Sequence, residues 1–275
     1  PWRRRRPEGP GPRPVALVTG AASGLGRAVA TALGRRGGRV LVTDLPGTAM
    51  EATCVAVRAA GGEAAFQPLD VTDPAEFEAA WLAAEEAFGP VDLVVNNAGI
   101  AVVGPMAQVS VQDWRAQMDV NLFGVVHGCR LAAQRMRGRG AILNVASGAG
   151  LLSPPKMAPY NVSKAAVVAL TETLAAELGP GGTTCTVLAP LFFQTNLIET
   201  SRVTDERLKR KASQLMAEGK LSADQVAEAA LKAVERGDLY ALPMRDGRWY
   251  WRLKRLAPQG YVRVLDFVAR RKLKG

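Results

Sequence analysis

Short apolar runs rich in β-branched residues alternate along most of this chain with longer segments of helical period. The runs fall at 15–19 (VALVT), 39–43 (RVLVT), 64–69, 91–96 (VDLVVN), 140–146 (GAILNVA) and 183–189 (TTCTVLA), with a short seventh at 239–242 (LYAL). Near-continuous hydrophobicity predicts strands covered on both faces, and the helical stretches between them predict right-handed crossovers. The expected architecture is α/β: a doubly wound parallel sheet of about seven strands with helices on both faces.

Helix punctuation fits this layout. Asp73-Pro74-Ala75-Glu76 offers an N-cap, a proline at the first helical position and a glutamate placed to complete a capping box. Ser222 with Gln225 repeats the device, and Gly237 ends that helix. A long Ala/Leu/Val-rich helix is expected over 158–179, stopped by Gly179-Pro180. The segment 191–221 is less regular, carries charges from Arg202 to Lys211, and reads as a mobile loop and helix over a ligand site.

Composition adjusts the picture little. The chain has 275 residues, 48% of them hydrophobic, enough to bury a sizeable core. No apolar run reaches the roughly 20 residues of a membrane-spanning helix. Residues 1–14 are Pro/Gly/Arg-rich without the layout of a secretory signal, so a cytoplasmic location is expected. Three dispersed cysteines (Cys54, Cys129, Cys185) and one histidine, His127, support neither a disulfide framework nor a metal site. His127 is read as a packed or surface helix residue, which weakens hydrolase and metalloenzyme readings.

Charge divides the chain in three. The net charge is +10, but it sits at the ends: five arginines against Glu8 in 1–14, and ten Lys/Arg against Asp246 and Asp266 in 243–275. The stretch between is close to neutral. The predicted organisation is a basic arm (1–14), one domain (15–242) and a basic amphipathic helical extension (243–275).

The candidate chemistry begins at Thr19-Gly20-Ala21-Ala22-Ser23-Gly24-Leu25-Gly26, directly after the first strand and opening a helix. Gly20, Gly24 and Gly26 let the backbone turn tightly, while Ser23, Leu25 and the free N–H groups of the helix start suit a pyrophosphate. Asp44 ends the second strand, where a carboxylate can accept from adenosine ribose hydroxyls and would repel a 2′-phosphate. No Lys or Arg lies within the glycine turn or just after Asp44, so NAD is favoured over NADP. Asp70-Val71 and Asn96-Asn97-Ala98-Gly99 follow the third and fourth strands, at the edge that lines the crevice of such a sheet.

Tyr160 and Lys164 are four apart on a helix, which puts them on one face with Cβ atoms roughly 5–6 Å apart. A free tyrosine has a pKa near ~10, too high for a base at neutral pH. An ammonium ~5 Å away at an effective dielectric of ~20 contributes about 3 kcal/mol, or roughly two pKa units. Lys164 is thus expected to bring Tyr160 toward working range. Ser147 ends the fifth strand, and Asn121 lies in Val120-Asn121-Leu122-Phe123-Gly124.

Taken together these motifs resemble the short-chain dehydrogenase/reductase family, whose fold is Rossmann-like. The resemblance covers about 15–242 and includes the 13 residues between Ser147 and Tyr160. It implies that Asn121, Ser147, Tyr160 and Lys164 are catalytic. Tyr160 would exchange the substrate proton, Ser147 would hold the reacting oxygen, Lys164 would tune Tyr160 and bond the nicotinamide ribose, and Asn121 would hold a water leading to Lys164. It also implies a homodimer or homotetramer formed through the helices holding Asn121 and Tyr160. Pro190 and Thr195 keep the family's places after the sixth strand, and the backbone of 191–193, Phe193 included, would face the nicotinamide carboxamide. Leu191, however, stands where the family has glycine.

Substrate-side positions are expected from Val102, Val103, Met106, Leu151, Leu152, Met157, Leu191, Phe192 and Phe193. They favour an apolar (steroid-, retinoid- or lipid-like) alcohol or carbonyl compound, with packing of the lid as the other use for several of them. The tail interleaves Trp249, Tyr250, Trp251, Leu253, Leu256, Tyr261, Val264, Leu265 and Val268 with basic residues. That pattern suits peripheral contact with an anionic membrane, or a helix pair closing the cleft or making a subunit contact. Two other readings stand beside the enzyme: an anionic-surface binder and a non-catalytic cofactor-binding protein. No nucleic-acid motif is present, and no nucleic-acid partner is expected.

Overall fold

The computed structural model describes residues 10–136, 138, 140–194, 201–203 and 206–271, with the backbone alone at 206–209, 211–212 and 268–271. Nine strands form among the described residues: β1 (Val15–Thr19), β2 (Arg39–Asp44), β3 (Glu63–Pro68), β4 (Leu93–Asn96), β5 (Val102–Val103), β6 (Gly140–Val145), β7 (Thr183–Leu188), β8 (Arg202–Val203) and β9 (Tyr240–Ala241). Seven of them form one sheet in the order β3-β2-β1-β4-β6-β7-β9, and every pairing is parallel. These seven are the runs expected from the sequence, with ends shifted by a residue or two. The chain winds outward from β1 in one direction and from β4 in the other. A crevice therefore opens between the C-terminal ends of β1 and β4.

Both faces of the sheet are covered, which explains why β1, β4, β6 and β7 are buried at every position and β2 at all but its ends, while the edge strand β3 has no buried residue. On one side α1 (Gly24–Arg35), α2 (Met50–Ala59) and α9 (Ala223–Glu235) pack on Val18, Val40, Val42, Val95 and Leu143. On the other, α3 (Pro74–Phe88), α5 (Gly124–Arg135) and α7 (Ala158–Leu178) pack on Leu17, Leu41, Val94, Ile142 and Val187. Between α4 (Val111–Met118) and α5 lies a π-helical turn, Asp119–Phe123. Gly128 of α5 is where a Cβ would stand 2.1 Å from Asn96 Oδ1, so the helix lies directly on the sheet.

One expectation about helix starts is corrected. Asp73 does cap α3, accepting from the N–H groups of Ala75 and Glu76. The Glu76 carboxylate does not return to Asp73: it accepts from the Asp70 N–H at 2.7 Å, bracing the loop after β3 instead. At α9 both halves of the Ser222–Gln225 box are formed.

One feature had no counterpart in the sequence pattern. β5 and β8 pair in a separate two-stranded sheet, which fastens the segment after β7 to the loop after β4. The tail forms two helices, α10 (Arg245–Leu256) and α11 (Pro258–Arg271), after α8 (Glu206–Ala217) and α9. The pair docks on the short helix α6 (Gly148–Leu152): Lys254 Nζ donates to Leu151 O at 2.8 Å and Tyr261 Oη donates to Leu152 O at 2.8 Å. No helix among the described residues is long and apolar enough to cross a membrane.

Candidate active site

A cavity of about 670 Å³ runs along the crevice from Asp44 and Leu45 to Tyr160, Leu191 and Met216. That volume lies within the range of cofactor and small-molecule sites. Its floor is the glycine turn. Gly20 has φ +62°, and a Cβ there would stand 2.8 Å from Ala98 Cα, so the first and fourth strand ends close on each other only around glycine. Gly26 does not line the cavity. A Cβ on it would meet Gly20 O at 2.2 Å, so it allows α1 to approach the turn.

The start of α1 suits an anionic group. Ser23 is the N-cap, but its side chain makes no capping bond, and the first turn carries no acidic residue. The free N–H groups and the positive end of the helix face a cavity lined by Ser23, Gly24 and Leu25. At the outer end, Asp44 accepts from Ala22 N at 2.8 Å through one carboxylate oxygen and from Leu45 N at 2.8 Å through the other. The residues present therefore fit a dinucleotide: small backbone turns at its centre and a fixed carboxylate at one end.

Asp70, Val71, Asn97, Ala98, Gly99, Pro190 and Phe193 also line this cavity. Asp70 is held by Thr72, whose N–H and hydroxyl donate to one carboxylate oxygen at 2.9 and 2.8 Å. The Asn97 side chain is occupied with scaffolding, donating to Thr19 O and Gly20 O. His127 sits on α5 with Nδ1 3.0 Å from Val71 O. Thr195 lies outside the described residues.

Ser147, Tyr160 and Lys164 meet at the other end of the same cavity. Ser147 is the N-cap of α6, its Oγ accepting from Ala149 N at 3.1 Å. Gly150 lets α6 press on α7, since a Cβ there would stand 2.6 Å from the carbonyl carbon of Lys164. Lys164 Nζ donates to Val145 O at 2.7 Å and lies 5.9 Å from the Tyr160 ring centroid.

The expected lowering of the Tyr160 pKa is not found. Burial pushes Tyr160 up to about 12, and the Ser147 hydroxyl offsets this only in part. Burial also brings Lys164 down to about 8. The i, i+4 spacing delivers proximity, but both groups are buried, and desolvation is the largest cause of each shift.

Asn121 is fully buried behind the cavity rather than lining it. Its side chain accepts from Ile100 N at 2.9 Å and donates to Ile100 O at 3.0 Å. A Cβ on Gly99 would lie 3.3 Å from Asn121 Oδ1 and 3.5 Å from Lys164 Nζ, so the three converge. Gln117, one turn earlier, supports the same loop through Val102 N and Ile100 O. Sequence reasoning missed Gln117, although its i, i+4 spacing to Asn121 was the available signal. It also missed Arg27, which lines the cavity while its guanidinium donates to Ala22 O and to Thr53 Oγ1.

The apolar set divides. Leu191 and Phe193 line the cavity, Val102, Val103 and Leu151 are core, and Met106 and Phe192 are exposed. Met157 packs beside Tyr160 with Val103 and Val203. Leu191 has no left-handed φ, so the place of the usual glycine makes no conformational demand that a leucine cannot meet.

A dinucleotide cleft at the switch point of a parallel sheet, with serine, tyrosine and lysine at one end, defines a class of nicotinamide-dependent oxidoreductases. The model of the short chain dehydrogenase family matches residues 14–206, and the chain belongs to the short-chain dehydrogenase/reductase family, enzymes that act on CH–OH groups. It is 37% identical over 185 residues to a D-threitol dehydrogenase of Mycolicibacterium smegmatis, covering 66% of this chain and 71% of that one. It is 38% identical over 190 residues to an L-2,3-butanediol dehydrogenase of Corynebacterium glutamicum, covering 67% and 74%. A solved short-chain dehydrogenase/reductase from Burkholderia phymatum, in complex with NAD, superposes with a TM-score of 0.85 at 35% identity, covering 93% of this chain and 96% of that one.

Proposed function

We propose that the chain interconverts an apolar alcohol and its ketone or aldehyde using NAD, with Tyr160 as general acid–base. The observation that carries this reading is that Ser147, Tyr160 and Lys164 share one cavity with the glycine turn and Asp44. A nicotinamide cofactor, when bound, supplies the hydride acceptor or donor. Gly20, Ser23, Gly24 and Leu25 would hold its pyrophosphate region and Asp44 its adenosine ribose. Asp70, Val71, Asn97, Ala98 and Gly99 would flank it, and Pro190 and Phe193 would line its nicotinamide end.

The chain's own groups then manage one proton. Tyr160 Oη takes it from the substrate hydroxyl in oxidation and returns it in reduction. Ser147 Oγ already accepts from Ala149 N, which leaves its own proton to donate to the reacting oxygen as charge develops there. Lys164 uses one N–H on Val145 O and keeps the others for Tyr160 and the nicotinamide ribose. Asn121 positions the loop carrying Ile100 and a water leading toward Lys164.

Asp44 favours NAD, because a 2′-phosphate would meet its fixed carboxylate; the NAD-bound Burkholderia relative supports the choice. Ile100, Val120, Leu191, Phe193 and Met216 make the reaction end apolar. The diols named for the two relatives support a CH–OH substrate and belong in the screen. Exposed Val111, Phe123 and Val162 on α4, the π-helical turn and α7 support pairing of subunits through these elements.

The test is a cofactor-reduction screen with NAD and NADP over secondary alcohols, steroids, retinoids, long-chain alcohols, threitol and 2,3-butanediol. Turnover with NAD is expected, and Tyr160→Phe should reduce it by about 10²-fold or more. A Tyr160→Phe variant as active as the unmodified chain would refute the proton role.

A second reading concerns the tail. Trp249, Leu256, Val262 and Phe267 are 73%, 85%, 62% and 57% exposed and lie among Arg248, Arg252, Arg255 and Arg263. Apolar and basic groups interleaved in this way support peripheral contact with an anionic membrane.

A further inference from the structure

The residue that departs from the family pattern is gripped from two sides. A Cβ on Gly148 would stand 2.5 Å from Leu191 Cδ2, and a Cβ on Gly247 would stand 3.2 Å from Leu191 Cγ and 3.3 Å from Cδ1. Gly148 immediately follows Ser147, whereas Gly247 belongs to α10 of the C-terminal pair. Gly148 N also donates to Pro190 O at 2.7 Å, which holds the residue before Leu191 against the serine turn. Leu191 itself lines the cavity together with Ser147 and Tyr160.

We propose that Leu191 determines specificity, its side chain acting as a peg clasped by Gly148 and Gly247 that closes the reaction end of the cleft. This rests on the alcohol-oxidising reading of the same site. A glycine at 191 would leave room for substrate between α6 and α10, and the isobutyl group fills it. The peg stays in place because α10 and α11 are fastened to the far end of α6 through Lys254 and Tyr261. A side chain at 148 would displace the end of the leucine and one at 247 would crowd it by a few tenths of an ångström, so the two glycines are the complement of the one leucine.

The test uses the full chain with saturating NAD and two probes, 2-butanol and the bulkier 1-phenylethanol. Leu191→Ala is expected to raise the 1-phenylethanol to 2-butanol ratio of kcat/KM by about tenfold or more, mainly through KM for the bulky alcohol. Loss of fold alone would depress both substrates together. An unchanged ratio overturns the proposal. Independently, Gly247→Ala should change Tm more favourably in a Leu191→Ala background than in the unmodified chain, by about 2 °C. Equal shifts in the two backgrounds remove the clasp and overturn the proposal too. If the unmodified chain turns over neither alcohol, the activity reading fails separately, and alcohol-induced Tm shifts of the NAD-loaded protein replace the rates. Leu191→Ala must then gain more from 1-phenylethanol than the unmodified chain does, or the proposal falls.

Discussion

Lys164 shows what a single buried charge does to this protein. The residue is 3% exposed, and burial lowers its pKa from 10.5 to about 8. Between those values the unfolded chain binds the proton that the folded chain has lost, so this group's effect on stability becomes more favourable as pH rises through 8 to 10.5. Below pH 8 both states are charged and the folded one bears the full desolvation cost. At ~1.4 kcal/mol per unit, less about 1 kcal/mol for the lost bond to Val145 O, Lys164→Met should be about 2 kcal/mol more stable than the unmodified chain at pH 7. Denaturant melts at pH 7 and 10 check this: the advantage should vanish by pH 10, and a pH-independent difference would contradict it. Asp44→Ala, which removes the carboxylate fixed by Ala22 and Leu45, should shift the NAD to NADP ratio of kcat/KM toward NADP by about tenfold, measured with one alcohol under both cofactors. The partners Tyr160 and Lys164 were legible from their spacing. Their pKa directions were not, because desolvation is a property of the packed site. Arg27 was equally hidden: only the fold turns the residue after Gly26 toward Ala22 and Thr53.

At the scale of elements, caps were legible as positions and only partly as bonds. Asp73 and Ser222 start the helices that their motifs predicted, but Glu76 serves the loop at Asp70 rather than the helix it belongs to. The two roles separate experimentally. Asp73→Ala should cost about 1 kcal/mol of stability, read as a lower Tm. Glu76→Ala should affect Tm less and weaken NAD binding instead, because Asp70 and Val71 line the cavity; calorimetric titration with NAD would show it. Equal loss of Tm in both variants would return Glu76 to a capping role. The paired strands β5 and β8 were invisible beforehand, since two residues carry no period. They exist because Arg202 N finds Ala101 O at 2.9 Å and Arg202 also reaches Asp113.

At the scale of the whole molecule, the strand sequence and the location of the crevice followed from alternation of apolar runs and helices. The docking of the tail on α6 did not, because a basic amphipathic helix pair is consistent with closing the cleft, with a subunit contact and with lying on lipid. The structure has it pack on α6 with one face while leaving another exposed. Flotation with vesicles containing anionic phosphatidylserine should carry the full chain upward at low salt, and a chain lacking 243–275 should stay below. Equal flotation would refute a lipid role for the tail. The π-helical turn at Asp119–Phe123 carries a different consequence. A π turn holds one residue more than the α-helical turns on either side of it, so a deletion within it returns regular α-helix, whereas deleting one residue just after it, between Gly124 and His127, would rotate the rest of α5 by about 100°. Cys129 would arrive where Gly128 now meets Asn96, at a point where the sheet has no space for a Cβ. Length just after the turn is therefore as constrained as residue identity, and insertions or deletions there should be far less tolerated than substitutions.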